Sequence, residues 1–69
     1  MNTTIHETLS ELKEFVAVQA AEDAVMPPSE RRHQGEVVTD VIGQESLKPN
    51  VRKDLLNDYF GQVAALAKS

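Results

Sequence analysis

Prolines at positions 27, 28 and 49 cut this chain into three pieces, and each piece carries an apolar pattern of helical period. Proline lacks an N–H donor and biases the residue before it away from the helical region. No helix is therefore expected to run through Met26-Pro27-Pro28 or Lys48-Pro49. A strand is most tempting over Val37, Val38, Val41 and Ile42, which are β-branched. They come as adjacent pairs four apart, however, and Glu36-Val37-Val38-Thr39-Asp40-Val41-Ile42 does not alternate. The expected fold class is all-α: a single small helical domain over residues 1–69, with helices spanning about 4–24, 30–43 and 49–67.

The first helix is expected to start at Thr4-Ile5-His6-Glu7, which fits a capping box. Ile5, Leu9, Leu12 and Val16 then form its buried stripe, flanked by Phe15 and Ala20, while Glu7, Glu11 and Glu14 share the opposite face. After Ala20 the pattern loses phase. Asp23 lands on the apolar axis and Val18 and Val25 fall on the acidic side, so the helix is expected to fray or bend there. Ser29 is the expected N-cap of the second helix and Gly43 its left-handed C-cap. Gln44 to Lys48 forms a connection, and Pro49 suits the first turn of a third helix.

That third helix carries a cation in its apolar stripe. At about 100° per residue, Arg52 lies among Leu55, Leu56, Tyr59, Val63 and Leu66. Its stem can pack while its head reaches water, or it can pair with an acid that is equally out of pattern, and Asp23 is the best candidate. The stripe is also broad, and three short helices are expected to be too few to cover it. A chain of 69 residues buries only about 60% of the surface its unfolded form exposes, and with no cysteine it has no disulfide to compensate. Both considerations point to a homodimer, intertwined or face to face. Its expected interface is Val37, Val38, Val41 and Ile42 of the second helix with Arg52, Leu55, Leu56, Tyr59, Phe60, Val63 and Leu66 of the third.

Charge narrows the function classes. Eleven Asp/Glu against seven Lys/Arg give a net charge of −4. The excess sits at one end: residues 1–26 hold Glu7, Glu11, Glu14, Glu22 and Asp23 against Lys13 alone. Arg31-Arg32-His33 is the one dense basic cluster. A partner surface is accordingly expected at Glu7, Glu11, Glu14, Arg31 and Arg32, with its polar residues otherwise serving as a solvated face. The second helix, its connection and a third helix starting at Asn50, Arg52 and Lys53 can be read as a helix-turn-helix. The negative charge, the long connection and the inward phase of Arg52 weigh against nucleic acid. No apolar run reaches the roughly 18 residues of a membrane span, and the N-terminus lacks the basic and apolar regions of a signal peptide, so a cytoplasmic location is expected.

Catalysis finds little support. His6 and His33 stand far apart, there is no His-x-x-x-His spacing, no Gly-rich phosphate loop and no Gly-x-Ser-x-Gly elbow. No enzyme, catalytic residue, metal or cofactor is expected. The stretch Gly35-Glu36-Val37-Val38-Thr39-Asp40-Val41-Ile42, followed by Pro49, Arg52 and Phe60, resembles the C-terminal half of the YejL-like proteins, small helical bacterial chains of unknown biochemical role. The resemblance covers roughly residues 35–66, and the family's connection is about one residue shorter. The N-terminal half departs, with Pro28-Ser29-Glu30-Arg31-Arg32-His33 where the family has an Asp-Leu-Ser-Leu-like segment. The resemblance implies an intertwined helical homodimer and no reaction. The expected function is thus protein–protein interaction, with itself as first partner. The alternative partner is one larger protein, docked by a small acidic inhibitor or anti-activator of the kind mobile elements encode.

Overall fold

The computed structural model describes residues 9–68, and within them the chain is all-α. Three helices follow one another: α1 (Leu9–Ala24), α2 (Pro28–Gly43) and α3 (Pro49–Lys68). The capping box at Thr4 to Glu7, and Ile5 with it, lie outside the described residues. Helix α1 packs most extensively on α3, and α2 closes the remaining side, leaning more on α3 than on α1.

The core is the meeting of three stripes. Leu12, Val16 and Ala20 recur every four residues along α1, Val38 and Ile42 do so on α2, and Leu55, Tyr59 and Val63 on α3. Phe15, Leu47, Val51 and Leu56 pack around them, half-buried. Three helices thus cover most of the stripe that looked too broad. The fold places Val38, Ile42, Leu55, Tyr59 and Val63, expected at a subunit interface, inside the core of a single chain. Of that expected interface, Arg52 and Leu56 are half-buried, and Val37, Val41, Phe60 and Leu66 are exposed.

Two local expectations are corrected. Helix α1 does not fray after Ala20; it runs to Ala24 with Asp23 fully buried, and ends in a turn where the Met26 N–H donates to the Asp23 carbonyl at 3.1 Å. The caps of α2 also differ. The helix starts at Pro28, one residue ahead of the expected Ser29 cap, without any side-chain cap. Proline at the first position needs no N–H partner, so a start there costs no donor. At the other end no residue takes a positive φ among those described. Gly43 is the last helical residue, and Gln44, at φ −84° and ψ −10°, lets its N–H reach the carbonyls of Asp40 and Val41.

Both interior helix entries use one device. Three residues after Pro28, Arg31 turns back and donates from Nη2 to the Met26 carbonyl at 3.0 Å. Three residues after Pro49, Arg52 does the same to the Leu47 carbonyl at 3.2 Å. Each guanidinium thereby satisfies a carbonyl in the corner leading into its helix, and each leaves its Nε–H buried without an acceptor. Arg52 thus stands half-buried in the apolar stripe with its head committed to the corner before α3. Arg52→Met keeps the stem and removes the hydrogen bond. It is expected to cost about 1–2 kcal/mol, a fall in melting temperature of roughly 4–15 °C for a domain of this size. Thermal unfolding checks this, and a wild-type melting temperature would show that the bracket adds nothing.

Candidate interaction surface

Perturbed, buried polar groups are where chemistry concentrates in a fold. Asp23 is 0% exposed. Its Oδ2 accepts from the Tyr59 hydroxyl at 2.5 Å and its Oδ1 accepts from Gln19 Nε2 at 3.0 Å. Of the two alternatives for Arg52, the ion pair with Asp23 is not formed: Asp23 is taken up by Tyr59 and Gln19, and Arg52 by the Leu47 carbonyl. Gln19 stands one helical turn before Asp23, so α1 supplies one donor and α3 the other. The cluster clasps the two helices at a fixed register. Tyr59 holds its proton well above the ordinary tyrosine range, chiefly through burial, then through the hydrogen bond to Asp23 and the charge of that carboxylate. Asp23 and Tyr59 are both buried, and their hydrogen bond ties α1 to α3.

The accessible features lie on the side where α2 meets the second half of α3. Phe60 sits there 48% exposed, its ring edge-on to Tyr59 with centroids 4.9 Å apart and planes at 73°. Its other flank rests on α2 at Gly35, where a Cβ would come within 3.1 Å of the phenyl edge. A side chain at position 35 would push the ring outward, so glycine allows the ring to lie low against the helix. The Thr39 hydroxyl donates to the Gly35 carbonyl at 2.8 Å, which folds that side chain onto its own helix beside the ring.

Phe60 is therefore a ridge between two hollows. One, of about 590 Å³, runs along α2 past Gly35, Thr39 and Gly43 and is bordered by Arg32, Glu36, Asp40 and Gln44. The other, of about 280 Å³, lies towards the start of α2, between Pro28, Arg31 and Arg32 on one wall and Tyr59 and Val63 on the other. Arg32 borders both. The first is mixed in charge and the second basic. Across the molecule, a third hollow of about 390 Å³ between α1 and α3 is lined by Leu9, Lys13, Val51, Asp54, Leu55 and Asp58.

Of the partner-surface residues expected from charge, Arg32, Glu11 and Glu14 are exposed, and Glu7 lies outside the described residues. Arg31 is half-buried, since it is committed to the corner before α2. The helix-turn-helix reading loses its central contact, because Arg52 is turned back onto Leu47 while Asn50 and Lys53 are exposed. Among the described residues no three His, Asp or Glu side chains are grouped to hold a metal ion, and no helix is long and apolar enough to cross a membrane. Compared with protein-family models, curated proteins and solved structures, the chain finds no match.

Helical periodicity puts Asp23 on an apolar axis and offers Arg52 as its partner, and does not bring Tyr59 to it. Two signals pointed to the clasp. A tyrosine in a buried stripe needs a partner for its hydroxyl, and Gln19 stands four residues before Asp23 on the same helix face.

Proposed function

We propose that this chain is a non-enzymatic helical protein that works by protein–protein association, and that its first partner is a second copy of itself. The observation that carries this reading is Phe60, a large aromatic left half in solvent at the centre of a grooved surface. Aromatic anchors of this kind, ringed by arginine and small residues, are the groups from which interfaces draw most of their energy. Face-to-face pairing of two complete folds accounts for the residues better than intertwining. The apolar side chains that intertwining would exchange already fill one chain's core. The homodimer implied by the YejL-like resemblance agrees in oligomeric state and differs in this respect.

Phe60→Ala tests the reading. The half-exposed ring leaves no closed cavity behind, so the variant is expected to keep its helical circular dichroism. Its self-association is expected to weaken at least a hundredfold, the scale of a hot-spot residue at about 2.7 kcal/mol. Sedimentation of the variant beside the wild type reads this directly. Equal association of the two would remove Phe60 from the interface and the reading with it.

A further inference from the structure

Helix α3 outruns its neighbours. Ala64, Ala65, Leu66, Ala67 and Lys68 between them point to every side of the helix and all are exposed, so α1 and α2 stop short of this end. It is also bare of charge. From Tyr59 to Ala67 no residue carries a charge, the longest such run in the sequence, and Val63 to Ala67 is apolar all round. Helices of that kind are ordinarily buried. Here Leu66, in phase with the buried Tyr59 and Val63, is 47% exposed.

Phe60, Ala64 and Ala67 stand four and seven residues apart and share one face of α3. A large ring and two small side chains are the two halves of a close helix–helix contact, and one face of one helix carries both. In an antiparallel pair related by a two-fold axis, residues before the axis in one copy lie opposite residues after it in the other. We propose that two copies pair through this face of α3, antiparallel about an axis beside Val63 and Ala64, so that each Phe60 lies on Ala64 and Ala67 of the other copy. Charge selects a second copy as the occupant. The closing end of α3 is the negative pole of its helix, and the pairing carries it over the other copy's hollow beside Phe60 and Val63, where Arg31 and Arg32 stand in the opening, positive turns of α2. Lys68 shares the flank of Gly61, away from Val63, and leaves those arginines clear. Two chains of net charge −4 thus join through a stretch of helix that carries no acid.

This inference rests on the self-association proposed above, and charges placed near the axis test the two separately. Ala64→Glu and Ala64→Lys each bring like charges together across the axis, and each is expected to weaken the homodimer at least tenfold. Helical content should not change, since both substituents are good helix formers at an exposed position. An equimolar mixture of the two variants is expected to recover a dimer, because a carboxylate then faces an ammonium. Ala65→Glu, one residue on and turned off this face, is expected to leave the dimer intact. Sedimentation of each sample beside the wild type reads the result. A dimer that survives both Ala64 substitutions, or a mixture that stays monomeric, overturns the antiparallel α3 pairing while leaving self-association through Phe60 standing. A wild-type chain that is monomeric at every concentration overturns both.

Discussion

Tyr59→Ala is expected to leave the chain largely unfolded at room temperature. Removing a buried aromatic ring costs about 3–5 kcal/mol. Here it also strips the buried Asp23 carboxylate of a hydrogen bond, which adds about 1–3 kcal/mol. A domain of this size has roughly 3–10 kcal/mol of stability in total, so the loss approaches or exceeds the whole. Tyr59→Phe separates the two contributions. It keeps the ring in the core and removes only the hydroxyl, and is expected to cost about 1–3 kcal/mol with a cooperative transition retained. Asp23→Ala removes the acceptor of the hydroxyl, so its effect and that of Tyr59→Phe should be strongly non-additive in a double-mutant cycle. Chemical denaturation of the four chains measures this. A Tyr59→Phe variant as stable as the wild type would mean that the clasp does not hold α1 to α3.

The second large effect is expected at high pH. Tyr59 keeps its proton more tightly in the folded chain than in the unfolded one, because burial, the hydrogen bond to Asp23 and the charge of Asp23 all disfavour the phenolate. A group whose folded value is raised contributes its full stability below the unfolded value, near 10 for tyrosine. That contribution is lost as pH rises towards the folded value, since the unfolded state then binds fewer protons than the folded one. The chain should therefore unfold on the alkaline side, with phenolate appearing together with the loss of helix. With one tyrosine and no tryptophan in the sequence, phenolate absorbance reports this single group. Phenolate forming near pH 10 with the helices intact would contradict the buried, hydrogen-bonded state.

Much of the fold was legible in the sequence because its punctuation is unambiguous. Pro27, Pro28 and Pro49 bound the helices, and the start of α3 at Pro49 and the end of α2 at Gly43 fall where the residues place them. Leu12 and Val16 occupy the buried stripe that their spacing predicts, whereas Val38, Ile42 and Leu55, whose spacing suggested a subunit interface, lie in the core of the single chain. What pattern reading could not supply was contact between distant positions. Asp23 and Tyr59 are 36 residues apart, and a wheel drawn for one helix shows that each is out of pattern or in pattern without showing that they meet. The width of the α3 stripe misled for a related reason. A wheel counts Arg52 and Leu56 as uncovered arc, whereas the Arg52 guanidinium bonds the carbonyl of Leu47 in its own corner and Leu56 packs against the core. The shared spacing of Pro28 to Arg31 and Pro49 to Arg52 was visible in the sequence. Read as a pair it identifies a bracket; read singly, one arginine looks like surface charge and the other like a misplaced ion.

Molar mass in solution across a dilution series, by light scattering and sedimentation with circular dichroism on the same samples, tests the central claim most directly. Association through an exposed patch between complete folds predicts a dimer at high concentration that dissociates on dilution into a monomer with its helices retained. A monomer at all concentrations, or a dimer whose helices melt as it dissociates, would contradict the account.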